Sequence, residues 1–129
     1  KIYPEINFAV SILEPGIKTF NDLYTIALDF RKHEHFSSVY FSLIDLRSCE
    51  FKFDLKKLEE LKTLFQEYEE KDNQKLAVYL VDYPIETAYV HLFLKMMDFN
   101  KKYCSTLEAA FDNFNLPVSL EEFKGLINI

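Results

Sequence analysis

The chain has 129 residues, a length that fits one domain, and a domain of this size buries roughly two-thirds of the surface that its unfolded chain exposes. Its 49% hydrophobic content, with 13 Phe and 8 Tyr, predicts an aromatic core and excludes a disordered chain. A net charge of -6 argues against a nucleic-acid partner, because binding to phosphates needs clustered Lys and Arg. The sequence therefore predicts one soluble domain over residues 1–129.

Two further classes of protein are disfavoured. No uncharged stretch approaches the ~18 to 20 apolar residues of a membrane-spanning helix, so we expect no integral membrane segment. Cys49 and Cys104 have neither a C-x-x-C partner nor a nearby His. This pattern predicts two reduced thiols, no zinc site and a cytoplasmic location.

Strand and helix patterns alternate from the start of the chain. Residues 6–13 have the period of a strand with one better-buried face, and Ile2 and Tyr3 before them predict a preceding hairpin strand. Thr19 is the expected N-cap of a first helix that runs to about Glu34.

A second strand and helix follow. The run Val39–Cys49 starts with six apolar residues within eight positions and ends in polar ones, which predicts a buried strand that delivers polar groups to a sheet edge. Asp54 is the expected N-cap of a second helix. This helix should turn five residues inward: Leu55, Leu58, Leu61, Phe65 and Tyr68. Residues 76–81 are apolar on both faces, as expected for a central parallel strand.

The third predicted helix, from about Ile85 to Asn100, is apolar around most of its circumference. Its polar residues form one narrow strip: Thr87, His91, Lys95 and Asp98. Val90, Leu94 and Met97 lie beyond the stripe that a single sheet would cover. These three residues are therefore a candidate interface, covered either by the C-terminal helix or by another subunit, as in a homodimer.

Short elements complete the chain. Residues 101–104 predict an edge strand, Ser105 to Glu108 a capping box for a helix through about Phe114, and Ser119 the cap of a last helix. The whole alternation predicts an α/β fold with a mostly parallel four- to five-stranded sheet and right-handed crossover helices.

Ligands of open parallel sheets bind beyond the carboxyl ends of the strands. The polar residues expected there form a candidate ligand edge: Asp45, Arg47, Ser48, Asp82, Tyr83 and Ser105. A structural interpretation is also open, because Arg47 can pair with Asp45 or Asp82, and Ser105 can serve as a helix cap.

Catalytic chemistry has little support in the sequence. Only Gly16 and Gly125 are glycines, which excludes the glycine-rich loops that cradle phosphates. His33, His35 and His91 are spaced neither as a helical metal pair nor beside a Ser or Cys nucleophile. We therefore expect no enzyme, no metal and no cofactor.

The order of these signals resembles the SpoIIAA-like branch of the STAS superfamily, which includes anti-sigma-factor antagonists and STAS/SEC14-type domains. The matching segments span nearly the whole chain: Tyr3–Asn7, Gly16–Thr19, Leu43–Arg47, Ala77–Val81 and Ser105–Ala110. The resemblance implies a four-unit β/α superhelix without enzymatic activity. The antagonists act through a phosphorylatable Ser or Thr at the start of the helix after the Asp-Leu strand, but residues 53–57 of this chain carry no hydroxyl.

Two functions follow as expectations. The first is a non-catalytic domain that binds a protein of unknown identity, itself or another, through Val90, Leu94 and Met97. The alternative is a SEC14-type domain that binds a small apolar ligand or lipid, because such relatives are associated with apolar ligands and the core is rich in Phe and Tyr. That alternative requires an apolar cavity of at least roughly a few hundred Å³.

Overall fold

The computed structural model describes residues 1–68, 75–97 and 100–128 of the chain. The strands are β1 (Ile2–Tyr3), β2 (Phe8–Ile12), β3 (Gly16–Lys18), β4 (Phe41–Asp45), β5 (Cys49–Phe51), β6 (Leu76–Leu80) and β7 (Lys101–Cys104). The α-helices are α1 (Phe20–Lys32), α2 (Leu58–Glu67), α3 (Pro84–Lys95), α4 (Leu107–Asn113) and α5 (Leu120–Ile127). The predicted α/β class is confirmed. In the described part of the chain, no helix has the length and apolarity that a membrane span requires.

Five strands form the main sheet, in the order β1-β2-β4-β6-β7. β1 pairs with β2 in antiparallel fashion, whereas β2, β4, β6 and β7 are parallel, so the predicted mostly parallel sheet is also confirmed. Each parallel strand lies beside the one that precedes it in the chain, and always on the same side of it. Crossovers of one hand then bring α1, α2 and α3 to the same face, which we call the front face.

The helices α4 and α5 cover the opposite face, called the back face. Their side chains Ala110, Phe114, Phe123 and Ile127 form one apolar cluster with Phe8, Val10, Leu43, Val78 and Leu80 of the sheet. The ring of Phe123 is fully buried and lies 5.7 Å from that of Phe8, centroid to centroid. The central strands therefore carry apolar residues on a covered back face, as the pattern of residues 76–81 predicts.

On the front face, α2 packs against the neighbouring helices. Its buried residues cluster with α3 and its C-terminal end: Leu58, Leu61, Leu64, Phe65, Phe93 and Met97. The half-buried residues around this cluster come mainly from α1, among them Tyr24, Ala27 and Leu28. Within the described residues this cluster includes no side chain of the five-stranded sheet. The buried side chains of α2 in this cluster therefore pack against α1 and α3 rather than against the five-stranded sheet.

A second sheet of two parallel strands, β3 and β5, lies beyond the carboxyl ends of the main strands. Gly16 opens β3 with a φ of +114°, a conformation that favours glycine, as expected from its position after Pro15. This sheet is not predictable from the sequence, because each of its strands has only three residues.

The structure corrects two predictions about helix starts. The Asp54 carboxylate accepts a hydrogen bond from the Lys56 amide (2.9 Å), but this capped turn is a 3-10 turn, and α2 begins at Leu58. Leu55 is therefore 40% exposed rather than directed inward. The N-cap of α4 is Thr106, not Ser105, because the Thr106 hydroxyl accepts the hydrogen bond from the Ala109 amide (3.1 Å). The caps at Thr19 and Ser119 are confirmed.

The outer face of α3 also differs from its prediction. Its most exposed residues are Ile85, Ala88, Leu92 and Lys95, whereas Thr87 and His91 are half-buried. His91 turns toward β7, where its Nδ1 lies 2.9 Å from the Tyr103 hydroxyl. Of the predicted polar strip, Asp98 lies outside the described residues.

We expect Phe123→Ala to lower the free energy of unfolding by about 3 to 5 kcal/mol, because it empties a fully buried aromatic site between α5 and the sheet. Chemical denaturation measures this loss. The matched control is Ile85→Ala, which truncates a side chain that is 65% exposed and should cost about 0.5 kcal/mol or less. A loss below about 1 kcal/mol for Phe123→Ala would contradict the packing of α5 on the back face.

Candidate functional site

The candidate ligand edge is occupied by contacts among its own residues. Asp45 is buried on the back face, and its carboxylate accepts hydrogen bonds from the Arg47 backbone amide (3.1 Å), Nε (3.0 Å) and Nη2 (2.8 Å). The hydrogen bond with Asp45 raises the pKa of the Arg47 guanidinium above its ordinary value. The carboxylate and the guanidinium therefore neutralise each other. This is the pairing of Arg47 with Asp45 that the sequence left open as a structural role.

The other members of this edge lie nearby but do not converge. Ser48 has a left-handed backbone conformation (φ +62°), and its amide donates a hydrogen bond of 2.8 Å to the Asp82 carboxylate. Tyr83 is the N-cap residue of α3 and is 40% exposed, and Ser105 is exposed beside the Thr106 cap. In the described part of the chain, no side-chain hydrogen bond joins Tyr83 or Ser105 to Asp45 or Arg47. The carboxylates of Asp45 and Asp82 therefore hold the backbone of the loop that follows β4.

The two thiols are poor nucleophiles. Cys49 is fully buried, its Sγ donates toward the Glu14 carbonyl oxygen (3.6 Å), and burial raises the pKa of its thiol. Burial likewise raises the pKa of the Cys104 thiol. A raised pKa lowers the thiolate fraction at neutral pH, and the thiolate is the reactive form.

The candidate interface is covered within the chain. Val90 and Met97 are buried, and Leu94 is half-buried. Val90 packs in the cluster that includes Phe51 after the carboxyl ends of the strands, and Met97 packs against α2. The cover comes from the front-face elements rather than from the C-terminal helix or a second subunit. A partner therefore cannot reach Val90 or Met97 in this arrangement, which corrects the reason for proposing an interface there.

The feature that sequence analysis missed is a cavity of about 100 Å³ between the front face and the helices. Small side chains form part of its floor. The strand register places Ala9, Ser42, Ala77 and Lys101 in one row across β2, β4, β6 and β7, and the last three line the cavity. Ile44 and Tyr79, one row further along the same face, also line it. Both are only half-buried, although helices cover this face.

The roof and walls are apolar. Leu58, Leu61 and Phe65 of α2 form the roof, and α1 and α3 contribute side walls that include Ile26 and Phe93. At the carboxyl ends of the strands, an aromatic group lines the cavity: Phe51, Phe53 and Tyr89, with ring centroids 5.4 to 5.8 Å apart.

Hydrogen bonds from α3 hold this aromatic wall in place. The Tyr89 hydroxyl donates to the Phe53 carbonyl oxygen (2.9 Å), and the buried Glu86 carboxylate accepts from the Phe51 amide (2.9 Å). Because Glu86 and Tyr89 are one turn apart on α3, the same helix fixes both ends of the segment. The wall is therefore anchored to the scaffold.

Basic residues occupy the other end of the cavity. Arg31, Lys75 and Lys101 line it, and Arg31 and Lys75 are 8% and 3% exposed. The Arg31 guanidinium stacks 3.6 Å from the centre of the Phe65 ring, and the Lys101 ammonium lies 5.3 Å from the same ring. Lys75 donates hydrogen bonds to the carbonyl oxygens of Phe36 and Val39. All three have further contacts within the chain.

No family model, curated protein or solved structure matches this chain. Among the described residues, no group of three or more His, Cys, Asp or Glu side chains is arranged to hold a metal ion. The cavity is a place in the described part of the chain where a small molecule could bind.

A double-mutant cycle tests whether the Asp45–Arg47 pair stabilises the fold. We expect Asp45→Asn and Arg47→Gln to show a coupling energy of about 1 to 2 kcal/mol in the free energy of unfolding, since one partner is buried and the contact is bidentate. The control is the same cycle on the exposed Lys57–Glu60 pair (3.1 Å), with an expected coupling of about 0.3 kcal/mol. Equal coupling in both cycles would contradict an anchoring role for Asp45.

Proposed function

We propose that this chain is a non-catalytic domain that binds a small apolar ligand in the cavity between α2 and the sheet. The observation that carries the proposal is the pair of small floor residues, Ser42 and Ala77, beneath a roof of large apolar side chains. An unfilled cavity of this kind costs stability, by about 2 kcal/mol for 100 Å³. A ligand that fills it would recover that stability.

The volume limits the ligand. Binding sites for drug-sized molecules measure roughly 300 to 1,000 Å³, so a lipid of SEC14 type does not fit a cavity of about 100 Å³. Another protein with an engineered apolar cavity of about 150 Å³ binds benzene and xenon. The ligand, or the part of it that enters, is therefore a compact apolar group of about that size or smaller. The cavity is smaller than the few hundred Å³ that the sequence-based alternative requires, so the proposed ligand is smaller than the one that alternative describes.

Membership of the SpoIIAA-like branch of the STAS superfamily is a second part of the proposal. The one-directional order β2-β4-β6-β7 with α1, α2 and α3 on one face supports it, since the resemblance implies a β/α superhelix. The proposed role is binding rather than catalysis because Asp45 and Arg47 are engaged with each other and the pKa of each thiol is raised.

Binding of a protein partner stays a prediction with less support. The described apolar residues on the outside of α3 are mainly Ile85 and Leu92, two turns apart. Isolated apolar side chains of this kind are ordinary on protein surfaces.

Occupation of the cavity can be tested with xenon and benzene. In crystals pressurised with xenon, we expect electron density for xenon between Ala77 and Leu61. In solution, benzene should shift the methyl resonances of Ile44 and Val90, which line the cavity. Absence of xenon from the cavity together with unshifted methyl resonances would overturn the proposal.

A pair of variants makes this test specific. Ala77→Leu adds three carbon atoms to the floor and should abolish both effects, whereas Ala88→Leu makes the same change on the exposed face of α3 and should leave them intact. Circular dichroism checks that both variants fold. If Ala77→Leu is folded and benzene still shifts Ile44, the ligand does not occupy this cavity.

A further inference from the structure

The cavity is polar at one end and apolar at the other. Lys75 directly precedes β6, Lys101 is the first residue of β7, and Arg31 lies in the last turn of α1. Because α1 connects parallel strands, it runs antiparallel to them and ends near their amino ends. The three basic residues therefore gather at the amino ends of the strands, opposite the aromatic wall of Phe51, Phe53 and Tyr89.

The floor brings a hydroxyl and an ammonium group to the same level of the sheet. Ser42 pairs with Ala77 and Ala77 with Lys101, so Ala77 separates the other two across β4, β6 and β7. Neighbouring strands are about 4.8 Å apart, which puts the Cα atoms of Ser42 and Lys101 about 10 Å from each other. Since Ala77 contributes only a methyl group, the space above it is open to both side chains.

The Ser42 hydroxyl belongs to the cavity lining. Ser42 is 5% exposed and lines the cavity. Among the described residues, no buried side-chain oxygen or nitrogen lacks a hydrogen-bond partner, so this hydroxyl is not an orphaned group of the core. A hydroxyl has one donor and two acceptor positions, and a ligand oxygen above Ala77 can accept a hydrogen bond from it.

We propose that the ligand is a small carboxylic acid whose carboxylate binds above Ala77, between the Ser42 hydroxyl and the Lys101 ammonium, and whose branched or cyclic apolar body points toward the aromatic wall. This inference rests on the proposed function and names the chemical class of the ligand. The Arg31 guanidinium on the Phe65 ring adds positive charge close to the same position. The carboxylate joins the existing contacts of these basic residues and does not replace them.

Two probes of the same shape separate the charge from the apolar body. Isovalerate and isovaleramide both carry an isobutyl group, but only isovalerate is an anion at pH 7. Titrations of the full chain followed by NMR should give an affinity for isovalerate that is about tenfold or more higher than that for isovaleramide, because charge-assisted hydrogen bonds are stronger than neutral ones. Equal affinities, or tighter binding of the amide, would overturn the inference.

Neighbouring lysines on β7 provide the matched variants. Lys101→Gln should bring the affinity for isovalerate to within about threefold of that for isovaleramide, because it removes the charge that lines the cavity. Lys102→Gln removes the same charge from the next residue, which is exposed on the opposite face of the strand, and should change neither affinity. An equal loss in both variants would mean general electrostatic attraction and would contradict the assigned contact.

The outcomes also separate this inference from the proposed function. If xenon and isovaleramide enter the cavity but isovalerate shows no preference, the cavity binds apolar groups and only the carboxylate assignment fails. If neither xenon nor either probe enters, the proposed function fails with it. Should Lys101→Gln not fold, the comparison of the two probes on the unaltered chain still decides the point.

Discussion

The one-directional order of the parallel strands is the constraint on which the rest of the structure depends. Crossovers of one hand place α1, α2 and α3 on the same face. The α2 side chains Leu58, Leu61 and Phe65 face the floor residues Ser42 and Ala77 across the cavity.

The side chains decide whether that space is filled. Large residues on the central strands would reach α2, but the front-face row has Ala9, Ser42 and Ala77. On the back face, by contrast, Phe8, Leu43 and Val78 pack in one apolar cluster with Phe123. A cavity of about 100 Å³ costs about 2 kcal/mol, a large part of the 5 to 15 kcal/mol by which domains are stable. A cavity at this position, bounded by basic residues at one end, is consistent with a binding site.

Much of the fold could be predicted because the main strands and helices carry strong local signals. The apolar runs at residues 39–46 and 76–81, and the caps at Thr19 and Ser119, each depend on neighbours in sequence. β3 and β5 were missed since three residues show no periodicity. The choice of Ser105 over Thr106 was wrong because adjacent hydroxyls fit the same capping pattern, and only backbone geometry distinguishes them.

The candidate site was harder to predict than the fold. Residues 45–48 and 82 were expected at the carboxyl ends of the strands, and the structure brings them together there, but as partners of one another. The cavity is lined by residues of three helices and the sheet, an arrangement that no single segment encodes. One signal was present in the sequence. Ser42 is the second residue of β4 and Ala77 the second residue of β6, and each is a small side chain among mainly large, apolar ones. Arg31 and Lys75 gave no signal, because their burial results from tertiary packing.

A high-resolution crystal structure measures the separation between α2 and the sheet most directly. We expect the side chains of Leu58 and Leu61 to remain apart from Ser42 and Ala77, with a cavity of about 100 Å³ that holds a small molecule or ordered solvent. Direct van der Waals contact between these α2 side chains and the floor, with no cavity, would contradict it.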